Sequence, residues 1–188
     1  LSSFRRLAIQ AIGATAVAAA LSACGGGGSD SSTPAAPVVP VAPVTAKIMP
    51  LGASLTAGDD LVPSSFRSYR GYLYNQLIAD KYLVDFVGTQ KLTPEVGGDQ
   101  DHEGYIGATI GTATPGENGG NNLYQKLPAI FAANSPDIIV LAFGWNSVLL
   151  DPTGAATKFE NFVAAIRAAK PNAKLVTGTL HPQQGYAT

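Results

Sequence analysis

The spacing of apolar residues changes several times along the chain, and each change predicts an element. Residues 47–51 (KIMPL) form a short apolar run closed by Gly52, the pattern of a strand that enters a turn. Within 67–79, Tyr69, Leu73 and Leu77 recur at helical spacing with Ile78 beside them, which predicts a helix with one apolar face. Residues 83–87 read as a second strand closed by Gly88. Residues 88–121 are rich in Gly, Thr, Asn and Asp and read as a long loop, a feature that in a compact domain usually has a function. Leu123, Leu127, Ile130 and Phe131 mark a second helix, whose first turn Pro128 is expected to delay. Residues 137–143 (DIIVLAF) are almost wholly apolar, as in a strand buried on both faces. A third helix turns Phe159, Phe162, Val163 and Ile166 inward and ends before Pro171, and residues 174–180 (KLVTGTL) give a fourth strand.

Strands alternating with helices over short connections predict a parallel sheet covered by helices on both sides. In such sheets, ligands bind beyond the carboxyl ends of the strands. The turns that follow Leu51 and Phe143 are therefore expected on one rim.

The first 45 residues differ in kind, being mostly Ala, Gly, Ser, Pro and Val. Arg5 and Arg6 precede an uncharged apolar stretch, 7–23, which has the layout of an export signal and is marginal for a bilayer span of roughly 20 residues. It ends in Leu21-Ser22-Ala23-Cys24, followed by a run of glycines. This resembles the lipobox of bacterial lipoproteins. The resemblance implies a lipid on Cys24, the new N-terminus, and a place in the cell envelope, anchored to a membrane or secreted. Gly25 after the cysteine resembles lipoproteins sorted to the outer membrane. Residues 25–45, first Gly/Ser-rich and then Pro/Ala/Val-rich, read as a spacer. The expected organisation is a signal at 1–24, a linker at 25–45 and a folded domain at 46–188.

Composition narrows the chemistry. The formal net charge of -1 gives no basic field, so a nucleic-acid partner is not expected. The single cysteine allows no intramolecular disulfide, and with His102 and His181 as the only imidazoles there is no Cys/His metal cluster. The glycines between 104 and 120 match neither GxGxxG nor a Walker-type GK[ST].

The rim turns carry the candidate chemistry. Gly52-Ala53-Ser54-Leu55-Thr56 places a hydroxyl in a glycine turn between strand and helix. Backbone N–H groups in such a turn can cradle an oxyanion. Gly104-Tyr105-Ile106-Gly107-Ala108-Thr109 offers a closely approaching backbone N–H, and Gly144-Trp145-Asn146-Ser147 offers a side-chain amide. Trp145 reads as a packing residue beside that turn rather than a sugar platform.

In this order and at these strand ends, the segments resemble the SGNH hydrolase superfamily, also called GDSL-like esterases. Gly52-Ala53-Ser54-Leu55 corresponds to the first block, Gly107 to the glycine of the second, and Gly144-Trp145-Asn146 to the third. KIMPLGASLTAG, YRGYLYNQL, VDFVGTQ and DHEGYIGATI look like the carbohydrate-esterase branch that contains acetylxylan esterases, with the resemblance running from about 46 to 180. The resemblance implies a three-layer α/β sandwich with a mostly parallel sheet, the flavodoxin-like SGNH fold, incomplete at the C-terminus. It also implies hydrolysis of acyl, in particular acetyl, esters of carbohydrates. Ser54 would be the nucleophile, and Ser54 N–H, Gly107 N–H and the Asn146 amide the oxyanion hole. Water is the only co-reactant, so no cofactor is expected.

Three departures accompany the resemblance. Ala53 stands where the family has an aspartate, removing a carboxylate that would help hold the turn. Ser147 stands in place of the third-block acid, removing another supporting hydrogen bond. The Asp-x-x-His block that supplies the base is not found: His181 follows the fourth strand directly, with Gly178 where the aspartate would be. His181 therefore reads as a loop histidine, and His102, within Asp101-His102-Glu103, as part of a solvated or structural loop. The alternative to an esterase is an inactive lipoprotein that keeps the fold as a binding or remnant module.

Overall fold

The computed structural model describes residues 44–58, 68–94, 96–112 and 121–178. The signal, the lipobox with Cys24, most of the linker, and His181 lie outside the described residues. The chain divides into a unit of Leu1–Val44 and a unit of Thr45–Thr188, and the second unit carries all the described helices and strands.

In chain order its elements are β1 (Ala46–Gly52), α1 (Ser54–Ala57), α2 (Tyr69–Ala79), β2 (Val84–Phe86), β3 (Gln90–Lys91), β4 (Asp101–Gly104), α3 (Leu123–Ala133), β5 (Ile138–Ala142), α4 (Trp145–Leu150), α5 (Ala155–Ala169) and β6 (Lys174–Thr177). The sheet runs β3-β4-β1-β5-β6, and β2 also pairs with β1. All pairings are parallel except β3–β4. One edge of β1 carries β5 along Ile48–Gly52. The other carries β2 at its start and β4 at its end, where Gly52 stands opposite Gly104.

Register distributes the apolar residues between two faces. Met49 pairs with Ile139 and Leu51 with Leu141, and these four form one core with Leu127, Ile130 and Phe131 of α3 and Phe162 and Ile166 of α5. Burying each of the larger of these side chains contributes about 1.5–3 kcal/mol. Ile48 alternates with Met49 onto the opposite face, in register with Phe86, whose ring meets Tyr74 of α2 edge-on at 5.3 Å. Helices therefore cover both faces, giving the expected three-layer α/β arrangement.

Several local expectations change. Ile78 is exposed on α2, and the buried residues of that helix are Arg70, Gly71 and Leu77. Arg70 and Leu77 are two helical turns apart, so an arginine shares the inward face that the apolar spacing had assigned to Tyr69, Leu73 and Leu77. Pro128 does not delay α3, which starts at Leu123 with Pro128 inside it. The Asn122 side chain accepts from the N–H groups of Tyr124 and Gln125 and caps the first turn, while burial of Leu123, Leu127, Ile130 and Phe131 offsets the hydrogen bond that proline cannot make. The long loop read over 88–121 contains β3 and β4. The sequence of β4, DHEG, is polar and has no alternation, yet His102 and Glu103 are buried in it. Gly144 is followed at once by the short helix α4.

Candidate active site

β1, β4 and β5 are neighbours in the sheet, and the three rim segments follow their carboxyl ends. Ser54 begins α1 directly after β1, Gly107 lies in the turn after β4, and Asn146 lies near the start of α4 after β5. The structure thus brings the three predicted site residues to one rim.

The Ser54 turn is made by backbone. Ala57 N–H donates to the Ala53 carbonyl at 2.9 Å and Gly58 N–H to the Ser54 carbonyl at 2.8 Å, so α1 is a single turn. Tyr105 N–H donates to the Gly52 carbonyl at 3.0 Å and ties the second segment to the first. A Cβ on Gly104 would collide with the backbone of Thr56 and Ala57, so only glycine lets β4 pass this close to α1. Ser54 is half-buried, and among the described residues its hydroxyl has no hydrogen-bond partner. Ala53 packs in the apolar core with Leu141 and Ala108.

With alanine at 53, the turn is held from its other end. Arg70 is fully buried, and its Nε donates to the Thr56 carbonyl at 2.7 Å while Nη2 donates to the Ala57 carbonyl at 3.1 Å. The same guanidinium reaches the carbonyls of Leu92 at 3.1 Å and Gln100 at 3.3 Å, one on each side of the β3–β4 connection. Ser68 caps α2 by accepting from Arg70 N–H, and its hydroxyl donates to Thr56 O at 3.0 Å. The Tyr69 and Thr56 hydroxyls are 3.5 Å apart, and burial pushes the tyrosine up to about 12.

The second segment is anchored by Glu103, which is fully buried. Its carboxylate accepts from Thr89 N–H at 2.6 Å, the Thr89 hydroxyl at 3.1 Å, the Tyr105 hydroxyl at 2.6 Å and the Asn134 amide at 3.3 Å. Burial, followed by the hydrogen bond to Glu103, raises Tyr105 to about 12. Gly107 is exposed in a left-handed conformation, φ 72°, that favours glycine. Among the described residues its N–H has no acceptor.

The third segment is laced to the second. The Asn146 amide donates to the Ala108 carbonyl at 2.9 Å, which engages one of its two N–H bonds. Ser147 adds a second link between these segments. The buried Ser147 Oγ accepts from Ile110 N–H at 2.9 Å, so the serine makes a supporting hydrogen bond of its own.

His102 is not in a solvated loop but buried in β4, where its Nδ1 accepts from Gly104 N–H at 2.9 Å. Nε2 then carries the proton and has no partner among the described residues. Burial first, and the nearby Arg70 charge second, lower this imidazole to about 4. Among the described residues, no group of His, Cys, Asp and Glu is placed to hold a metal ion, and no helix is long and apolar enough to cross a membrane.

Sequence reasoning missed Arg70 and Ser68. The signal for Arg70 was an arginine in register with Leu77 on an apolar helix face. Ser147 was read only as a departure, because its bond to Ile110 N–H joins segments far apart in the sequence.

No family model matches the chain, and no curated protein matches it. Among solved structures, the chain is similar to a family 3 carbohydrate esterase of Clostridium thermocellum, at 34% identity and a TM-score of 0.59, over 71% of this chain and 61% of that one. It shares the fold of an acetyl esterase variant solved with acetate, at 22% identity and a TM-score of 0.51, over 71% of this chain and 61% of that one. It shares the fold, too, of a variant of AlinE4, an SGNH-hydrolase family esterase, at 16% identity and a TM-score of 0.52, over 77% of this chain and 64% of that one. The chain spans less than two thirds of the length of each of these three proteins.

Proposed function

We propose that the described domain, which shares the fold of SGNH-type esterases, is a serine esterase that releases acyl groups, acetyl in particular, from carbohydrates. The observation that carries this reading is the meeting of Ser54, Gly107 and Asn146 at the ends of three adjacent strands, β1, β4 and β5. The names of two similar proteins, a carbohydrate esterase and an acetyl esterase, supply the substrate class.

Ser54 Oγ attacks the ester carbonyl and its proton passes to a base. The carbonyl oxygen becomes an oxyanion facing Ser54 N–H, Gly107 N–H and the remaining Asn146 amide N–H. The C–O bond to the sugar then breaks, the sugar oxygen takes a proton, and water hydrolyses the acyl-serine to release the acid. His102 is ill suited as the base, because Nδ1 already accepts from Gly104 and the ring is buried. His181 is the other imidazole of the sequence. We assign Cys24 as the site of a lipid that tethers the domain through the Gly/Ser/Pro-rich linker, so that it meets acylated carbohydrate at a membrane surface.

The test is acetate release from acetylated xylo-oligosaccharide by the full chain and by Ser54→Ala. Release that disappears in the variant supports the reading, while equal release from both excludes Ser54 as the nucleophile. The Ala53 replacement favours a second reading, a non-catalytic module that binds acylated sugar. Saturable binding without any acetate release would select it. For the tether, Cys24→Ser should move the protein from the membrane to the soluble fraction of a bacterial host, and an unchanged distribution would refute it.

A further inference from the structure

The buried guanidinium of Arg70 has a relation to Ser54 that reaches beyond filling the core. A helix of one turn has no stability of its own, and its last carbonyls lack partners within the helix. In α1 those carbonyls belong to Thr56 and Ala57, and Arg70 donates to both, at 2.7 and 3.1 Å. Two further bonds, to Leu92 and Gln100, lie at the two ends of the β3–β4 connection. One planar group thus spans α1 and the connection that delivers β4, whose Gly104 rests against α1. A cation at the carbonyl end of a helix also meets the negative pole of the peptide dipoles.

Resting on the esterase reading, we propose that Arg70 is a positioning residue for Ser54: it grips the carbonyl end of α1 and so fixes where the first residue of that helix holds its hydroxyl. The grip does at one end of the turn what a carboxylate at 53 would do at the other. A lysine cannot replace it, because an ammonium is a point donor without the fork that reaches four carbonyls. Arg70 is fully buried, so the substrate does not touch it. Its loss should therefore appear in turnover rather than in substrate binding.

The experiment compares Arg70→Met and Arg70→Lys with the wild-type full chain in steady-state hydrolysis of 4-nitrophenyl acetate and in amide hydrogen exchange. A displaced nucleophile is expected to cost about 10²-fold in kcat with KM changed less than about twofold, with Arg70→Lys intermediate. The amides of Ala57 and Gly58 should exchange at least about tenfold faster, while those of Ile139 and Leu141 in β5 keep their protection. An unchanged kcat overturns the proposal. So does exchange that accelerates equally in β5, because that marks a general loss of stability. If Arg70→Met does not fold, Arg70→Lys is judged by the same two measures. If the wild-type chain hydrolyses nothing, the esterase reading fails, and the exchange pattern alone then decides whether Arg70 orders α1.

Discussion

Ser147 Oγ accepts a hydrogen bond from Ile110 N–H across 2.9 Å, joining the helix after β5 to the segment after β4. Both groups are buried, so a missing partner leaves an amide without water to replace it. Ser147→Ala is expected to lower stability by about 1–3 kcal/mol in urea unfolding, with an unchanged m-value. A loss below about 0.3 kcal/mol would mean that Ile110 N–H finds another acceptor.

Asn146 has two duties, a structural bond to the Ala108 carbonyl and the proposed donation to the oxyanion. Asn146→Ala removes both and is expected to lower kcat by about 10²–10³-fold. Asn146→Asp should be worse, because a carboxylate then faces the Ala108 carbonyl and has no hydrogen to offer. Steady-state rates on an acetyl ester check the order, and an aspartate variant as active as the wild type would exclude the donor role.

His102 makes stability depend on pH. Its folded-state value is near 4 against an unfolded 6.5, so between those values the unfolded chain holds the extra proton. The stabilisation is full above about pH 6.5 and is lost as pH falls toward 4, a change of about 3 kcal/mol. Urea unfolding at pH 7 and pH 4.5 should show this slope in the wild type. His102→Gln should flatten it; a slope that survives in the variant assigns it to other groups.

Much of this architecture was legible in the spacing of apolar residues, because β1, β5, α3 and α5 bury aliphatic side chains at regular intervals. Ser54, Gly107 and Asn146 could be found as candidates because each follows the end of a strand. What escaped was polar and buried. β4 pairs through backbone while His102 and Glu103 turn into the protein, and a run such as DHEG carries no period to reveal that. Arg70 was hidden for a related reason: its fitness for the interior depends on four carbonyls brought together by three separate segments. Helix α3 shows the converse, since Pro128 looked decisive locally and was outweighed by a cap and four buried side chains.

Two glycines of the second segment separate strain from collision. At Gly107 the φ of 72° would strain an alanine by about 1–2 kcal/mol, but its Cβ would meet only the Asn121 amide at 3.5 Å. The turn is held on one side by Ala108 N–H on the Tyr105 carbonyl and on the other by Asn146 on the Ala108 carbonyl. Those two bonds are comparable in worth to the strain, so the turn should keep its shape. Gly107→Ala is therefore expected to lose about 1 kcal/mol of stability and no more than about tenfold in kcat. At Gly104 the backbone conformation is ordinary, but a Cβ would overlap the main chain of Ala57. Main chain cannot rotate out of the way as a side chain can, so α1 itself must shift, and Ser54 shifts with it. Gly104→Ala should accordingly cost about 10²-fold or more in kcat. Measuring both variants by urea unfolding and by acetyl-ester hydrolysis checks the ranking. Should Gly107→Ala prove the slower enzyme, the close packing of β4 on α1 would not be what sets the position of the nucleophile.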